Sequence, residues 1–334
     1  MDLELLKELC DTPGVPGLED EIAKIVQNNI LNLCQSHEID AMGNNIFTVN
    51  KKIEKAPTIL VDAHMDEVGF LVSNIESNGM IRVIALGGID PKLFYGQRLT
   101  IWGKKAIEAT VAAIPPHISN KSDAVTQVED CIIDTGLKDK DVLKFINIGD
   151  QITFSTNCKI GYDRVLSKAL DDRVGLFVLI EAVKVLSKKK LNCNFTVSAS
   201  VQEEMGLRGA RIINSKVNPD FSIALEGTVS NDLLGVPSHK SLANLDNGPE
   251  IRISDKYLIA DRKLNSFIES IAKKKKIPYQ LTAKNAGGTN STAFQVTGNG
   301  SKATVLSVPV RSVSYTHLRA HETLRYLVCR LLLE

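Results

Sequence analysis

The sequence predicts an α/β fold: a mostly parallel sheet with helices on both faces, plus an inserted small β-rich domain. Three observations predict it. Strand-like and helix-like runs alternate in both outer parts of the chain, which is the pattern of a sheet covered by helices. The strand-like runs there, such as "TILVDA" and "ATVLSVPV", are nearly continuous in apolar residues, as strands buried on both faces are. Between residues 71 and 160 the rhythm changes to short strand-like runs broken by Gly, Pro and Asn.

The elements follow in order. "LELLKELC" carries leucines at helical spacing and stops at the turn-rich "DTPGVPG". "LEDEIAKIVQNNILNLC" opens with acids in its first turn, which suits a second helix. "TILVDA" is a short buried strand, with His64 and Asp66 just past its end. In the insertion, "MIRVIALGG", "QRLTIWG", "ATVAAIPPHI" and "DQITFST" read as strands. "SDAVTQVEDCIIDTG" and "KDKDVLKFI" read as helices interrupting them. The α/β rhythm then resumes. "DDRVGLFVLIEAVKVLSKKK", "LRGARIINSK" and "DRKLNSFIESIAKKKK" are helices; "NFTVSASVQ", "FSIALEG" and "ATVLSVPV" are strands. The expected division is a discontinuous α/β domain over 1–70 and 161–311, an insertion over 71–160, and a separate tail over 312–334.

Composition narrows the function. The 334 residues are 43% hydrophobic, enough for a sizeable core. Net charge is +1, which predicts neither a nucleic-acid nor an anionic-membrane partner. The lysines of 273–276 close a helix and complement its dipole. No apolar stretch is long enough to span a bilayer. The start "MDLELLKELCDTPG" is not a signal peptide, and six cysteines without a C-x-x-C pair read as reduced thiols. The expected location is cytoplasmic.

Ligands of open α/β sheets bind beyond the carboxyl ends of the strands. Strand ends here deliver His64 and Asp66, then Glu203 and Glu204, then Glu226; "SKALDDRVG" adds Asp171 and Asp172. Imidazole and carboxylate are the donors of hydrolytic zinc sites, and a pair of such ions can clamp attacking and leaving oxygens. Each residue also has a plainer role. His64 alone suits an ordinary loop; Asp171 and Asp172 suit a helix N-terminus. Glu203 and Glu204 could be exposed acids paired with Arg208 or Arg211. As strand neighbours the two glutamates would point to opposite faces.

The motifs "DTPGVPGLEDEI", "VDAHMDEVGF", "AAIPPHI", "SKALDDRVG", "VQEEMGLRGA", "ALEGT", "AGGTNSTAFQ" and "VPVR" resemble, in order and spacing, the dinuclear metallo-aminopeptidases of the glutamyl-aminopeptidase or tetrahedral (TET-type) family, some labelled endoglucanase. The resemblance runs from about residue 3 to residue 311. It implies a zinc-peptidase-like α/β domain with an inserted dimerisation domain. It implies two divalent ions per chain, zinc or cobalt, peptide substrates and a homo-oligomer built from dimers. His64 and Glu226 would hold one ion and Glu204 the other, with Asp171 bridging. Asp66 would support His64, and Glu203 would be the general base. "IPPHI", with His117, reads as a stiffened structural loop, and "AGGTNSTAF" as a capped turn or a substrate-lining loop.

The resemblance fails after Arg311. The family places a ligand histidine three residues beyond that arginine; here the position is Ser314, and His317 lies three further on. Residues 1–311 hold 28 Lys and 9 Arg, whereas 312–334 hold no Lys and 3 Arg. "SYTHLRAHET" resembles translated adapter read-through. The tail is therefore expected to be non-native, and the rival to an active enzyme is a catalytically impaired or non-catalytic family member. A glycosidase, which needs two carboxylates and no metal, would leave His64, Asp66 and Asp171 unexplained.

Overall fold

The computed structural model describes residues 2–112, 127–161, 164–237 and 242–311, and the backbone alone of His317–Ala320. His117, Ser314 and most of the tail lie outside the described residues.

The chain opens with α1 (Leu3–Asp11), which buries Leu5, Leu6, Leu9 and Cys10 on one face; Asp2 caps it by accepting the Leu5 N–H. Next come α2 (Asp20–Ile30), the hairpin β1 (Ser36–Ile39) and β2 (Asn45–Thr48), and the buried strand β3 (Thr58–His64). The stretch that follows holds β4 (Gly69–Ile75), β5 (Ile81–Leu86), β6 (Arg98–Trp102), β7 (Ala106–Ala112), β8 (Ile132–Asp134), α3 (Asp139–Phe145) and β9 (Gln151–Phe154). Its strands close into a barrel in the order β4-β5-β8-β7-β6-β9 around a separate core containing Phe70, Phe94 and Ile152. "CIID" is thus barrel strand β8 and not helix: the tertiary pairing of Ile133 with Ile81 and Val111 overrides local propensity.

After the short strands β10 (Lys159–Gly161) and β11 (Arg164–Ser167) come α4 (Leu170–Leu186), β12 (Asn194–Ser200), α5 (Arg208–Val217), β13 (Phe221–Val229), β14 (Glu250–Ser254), α6 (Arg262–Lys275), β15 (Gln280–Ala283), α7 (Asn290–Val296), β16 (Lys302–Val310) and β17 (His317–Ala320). α6 begins at the Asp261 cap and ends in Lys273–Lys275, with Lys276 left-handed at its close.

The main sheet has eight strands in the order β1-β2-β12-β3-β13-β16-β14-β15. β12, β3, β13 and β16 run parallel at its centre; β2 and β14 join them antiparallel. Alternation along β3 separates two layers. Val61 and Ala63 face α1, α2, α4 and α6 in the main core, while Leu60 faces α5 and α7 in a smaller one. From β3 the chain goes first to β12 on one side and then to β13 on the other. The carboxyl ends of these three strands meet at the switch point where such sheets bind ligands. β17 pairs with β11, placing the His317 backbone opposite Ser167.

Candidate metal centre

Three elements bring the predicted donors together. His64 ends β3 and is 1% exposed. Its Nδ1 lies 3.0 Å from the Asp66 carbonyl oxygen, which fixes the ring and turns Nε2 outward. Nε2 lies 3.2 Å from Asp171 Oδ1 and 3.8 Å from Glu226 Oε2. Donor atoms of His64, Asp171 and Glu226 all fall within 4.8 Å of one another, as do those of His64, Glu203 and Glu204.

Asp171 and Asp172 are not ordinary helix-start acids. Both have non-helical backbone angles inside the first turn of α4. Asp171 turns its carboxylate to His64; Asp172 accepts the His64 N–H at 3.3 Å and the Gly175 N–H at 2.9 Å. Two glycines make room. A Cβ on Gly175 would meet Asp172 Oδ1 at 2.2 Å, and one on Gly227 would meet the Asp171 Cα at 3.2 Å. Gly227 thereby lets β13 bring Glu226 alongside Asp171.

Glu203 and Glu204 correct the strand-based expectation. β12 stops at Ser200, and the chain then turns through left-handed Gln202 (φ 55°) to Gly206 (φ 95°). The two glutamates sit in this turn, so strand alternation does not separate them and both reach His64. Asp66 holds the turn through the Glu203 and Glu204 amides, and Glu19 accepts the Gln202 N–H at 3.1 Å. Arg208 bonds Gln202 Oε1 and is not the partner of either glutamate.

The electrostatics call for a cation. Burial, reinforced by neighbouring carboxylates, pushes Glu203, Glu204 and Glu226 well above the usual carboxylate range. Burial opposes the charged form of His64, but hydrogen bonds to Asp171 and Asp66 carry it well above its usual value. Glu226 Oε1 is buried without a hydrogen-bond partner among the described residues. A cation among these donors would relieve the mutual repulsion and satisfy that oxygen. The residues therefore fit a divalent metal.

A second layer escaped the sequence reading. Glu67, Lys168 and Arg173 are buried together: Lys168 Nζ lies 2.6 Å from Glu67 Oε1, and Arg173 Nη2 3.5 Å from it. Arg173 also donates to the carbonyls of Leu9 and Thr12 at the end of α1. Asp62, pushed up to about 6 by burial, accepts from Ser198, Ser200 and Asn290 beneath the cluster. The signal for Asp62, Glu67, Lys168, Arg173 and Asn290 was their place inside the motifs "VDAHMDEVGF", "SKALDDRVG" and "AGGTNSTAFQ".

The carboxylate donors Asp171, Glu203, Glu204 and Glu226 line a cleft of about 1350 Å³. Thr228, Arg252, Tyr257, Lys284 and the glycine turn Gly287–Gly288 line the same cleft. Arg252 and Lys284 line the cleft, while their partners Glu250 and Asp255 have side chains 0% exposed.

One imidazole among convergent carboxylates, at the floor of a cleft at the carboxyl end of an open α/β sheet, defines a metallohydrolase. The M42 glutamyl aminopeptidase family profile matches residues 43–324. The chain belongs to that family and is a metal-dependent aminopeptidase. It is 30% identical to the glutamyl aminopeptidase of Lactococcus lactis subsp. cremoris over 96% of this chain and 90% of that protein. It is also 30% identical to the lysyl aminopeptidase of Pyrococcus furiosus, over 93% and 90%. The TET1 peptidase of Pyrococcus horikoshii, described as assembling into a tetrahedron or a large octahedral shell, superposes with a TM-score of 0.86. The identity is 30%, and 99% of this chain and 98% of that one are covered.

Proposed function

We propose that this aminopeptidase removes the first residue of peptides at the floor of the cleft, with a preference for an acidic first residue. The observation that carries the reading is the convergence of Asp171, Glu203, Glu204 and Glu226, which line the cleft, on the buried His64 ring. His64, Asp171 and Glu226 would hold one divalent ion, and Glu204 with Asp171 a second, zinc or cobalt by the mixed nitrogen and oxygen donors. Such ions, when bound, polarise the scissile carbonyl and the attacking water. Glu203 takes the proton of that water and delivers it to the leaving amine. Asp66 holds the His64 ring and the glutamate turn in place.

The acidic preference rests on the charges shown to the substrate. The two relatives named above prefer no common charge by their names, glutamyl and lysyl. Lys284, with its side chain 14% exposed, and the more deeply buried Arg252 line this cleft, while the side chains of their partners Glu250 and Asp255 are 0% exposed, so the charge of the network left open to a substrate is positive. Glutamyl-, leucyl- and lysyl-arylamides, with N-acetyl-glutamyl-arylamide as the blocked control, test the reading. Faster turnover of the glutamyl substrate and none of the blocked one are expected. Cleavage of the blocked substrate would contradict exopeptidase action.

Three further readings go with it. The assembly of the Pyrococcus horikoshii relative supports a homo-oligomer, with residues 71–160 as the dimerising insertion. A monomer in sedimentation would count against this. The described cysteines are all free, in keeping with the cytoplasm, and no described helix is long and apolar enough to cross a membrane. The tail from 312 to 334 is proposed as a replacement of the native end. Reading the source gene across Arg311 would check it, and one uninterrupted natural frame ending as written would refute it.

A further inference from the structure

A second cavity lies at the opposite pole of the sheet. Its floor is the amino-terminal ends of β3, β12 and β13, with Ile59, Phe195, Phe221 and Ile223. Its walls are α6, through Leu264, Phe267 and Ile268, and the turn that leaves α4 around Leu191 and Cys193. The groove is thus a gap between two helices of the same layer. Ile59 and His64 are separated along β3 by roughly 16 Å at ~3.3 Å per residue, so the cavity is remote from the metal centre.

The cavity has the attributes of a small-molecule site. Its volume is about 710 Å³, inside the roughly 300–1,000 Å³ typical of ligand pockets. The interior is aliphatic and aromatic, and Phe267 remains 60% exposed at its edge. Every charged residue that lines it is a lysine: Lys189, Lys190, Lys263 and Lys302. No carboxylate joins them among the described lining residues. Lys302 Nζ stands 5.0 Å from the centre of the Phe221 ring, so one cation sits directly over the apolar floor. A concave apolar slot ringed by cations complements one chemistry: a flexible apolar body ending in an anion.

We propose that this groove binds a free long-chain carboxylate, its tail between α6 and the sheet and its carboxylate among the rim lysines. The driving force is burial of the apolar tail, and the lysines select the sign of the head. The inference is independent of the peptidase reading.

The experiment uses the full chain and soluble, sub-micellar dodecanoate, dodecyltrimethylammonium and dodecanol in titration calorimetry. Dodecanoate is expected to bind once per chain and at least tenfold more tightly than the cationic amphiphile. The triple variant Lys190→Glu, Lys263→Glu, Lys302→Glu changes only exposed residues and should weaken dodecanoate at least tenfold. A diazirine-bearing dodecanoate should label peptides within 186–193 and 263–271. Equal affinity for the cationic amphiphile, affinity unchanged in the triple variant, labelling elsewhere, or no binding would each overturn the proposal. So would binding to anionic vesicles without binding to the monomeric acid, which would make the face a membrane contact instead.

Discussion

The carboxylate of Asp66 accepts the backbone N–H of Glu203 on Oδ1 and that of Glu204 on Oδ2, each at 3.0 Å. The same residue orients His64, whose Nδ1 lies 3.0 Å from its carbonyl oxygen and 3.4 Å from its Oδ1. One residue, through its carbonyl and its carboxylate, therefore sets the positions of a proposed metal ligand from β3 and of two acids from the turn after β12. An amide in its place would turn an NH₂ toward one of the two N–H groups. Asp66→Asn should lower metal affinity and turnover together, by about 10–100-fold. Equilibrium dialysis with parallel kinetics checks it, and a loss of neither would deny Asp66 a positioning role.

Glu203 is assigned the proton and Glu204 the ion. Glu203→Gln should keep its metal and lose turnover by roughly 10²–10⁴-fold. Glu204→Gln, made together with Ser314→His, should lose the second ion. The opposite pairing of effects would exchange the two roles.

Much of this was legible in the sequence because strand ends announce themselves. His64, Glu226 and the 203–204 pair each follow a short apolar run, and the parallel sheet brings such ends to one edge. The common orientation of Glu203 and Glu204 was not legible. It depends on a left-handed Gln202, which has no side-chain signature. Glu67, Lys168 and Arg173 were hidden for another reason. Glu67 comes from one segment and Lys168 and Arg173 from another, and three charged residues read as surface until a fold buries them against one another. Strand β8 was missed because the apolar run of "CIID", Cys131 to Ile133, is too short to separate one period from the other.

Ser314 occupies the place of a ligand histidine expected from the family. By the proposed assignment the ion at His64, Asp171 and Glu226 would have its donors, whereas its neighbour would have, among the described residues, only Glu204 and a share of Asp171. The chain as written should retain close to one ion, and Ser314→His should retain close to two, since affinity follows donor number. Equal metal content by elemental analysis in both would show that position 314 carries no ligand.

The buried ion network beside the cleft predicts an acid-sensitive stability. Burial alone would raise Glu250, but Arg252 and Lys284 hold it down to about 2 from an ordinary 4.5. The depressed value means that its stabilisation is complete above the unfolded value and is lost as pH falls from about 4.5 to 2. Its size is about 3 kcal/mol. Glu250→Gln should be much less stable than the parent at pH 6, and the gap should narrow toward pH 2.5. Chemical denaturation at both pH values measures it; a constant gap would mean that Glu250 is not held as an anion.

Peptide cleavage is proposed to depend on an ion held by His64, Asp171 and Glu226. The most direct measurement is glutamyl-arylamide turnover alongside bound metal, after chelation and after stepwise return of zinc or cobalt, in the parent, His64→Ala and Glu226→Gln. Turnover in the parent should fall with chelation and rise again as metal is returned, while both variants neither bind the ion at His64 and Glu226 nor recover. Turnover that survives complete removal of metal, or variants that recover like the parent, would contradict it.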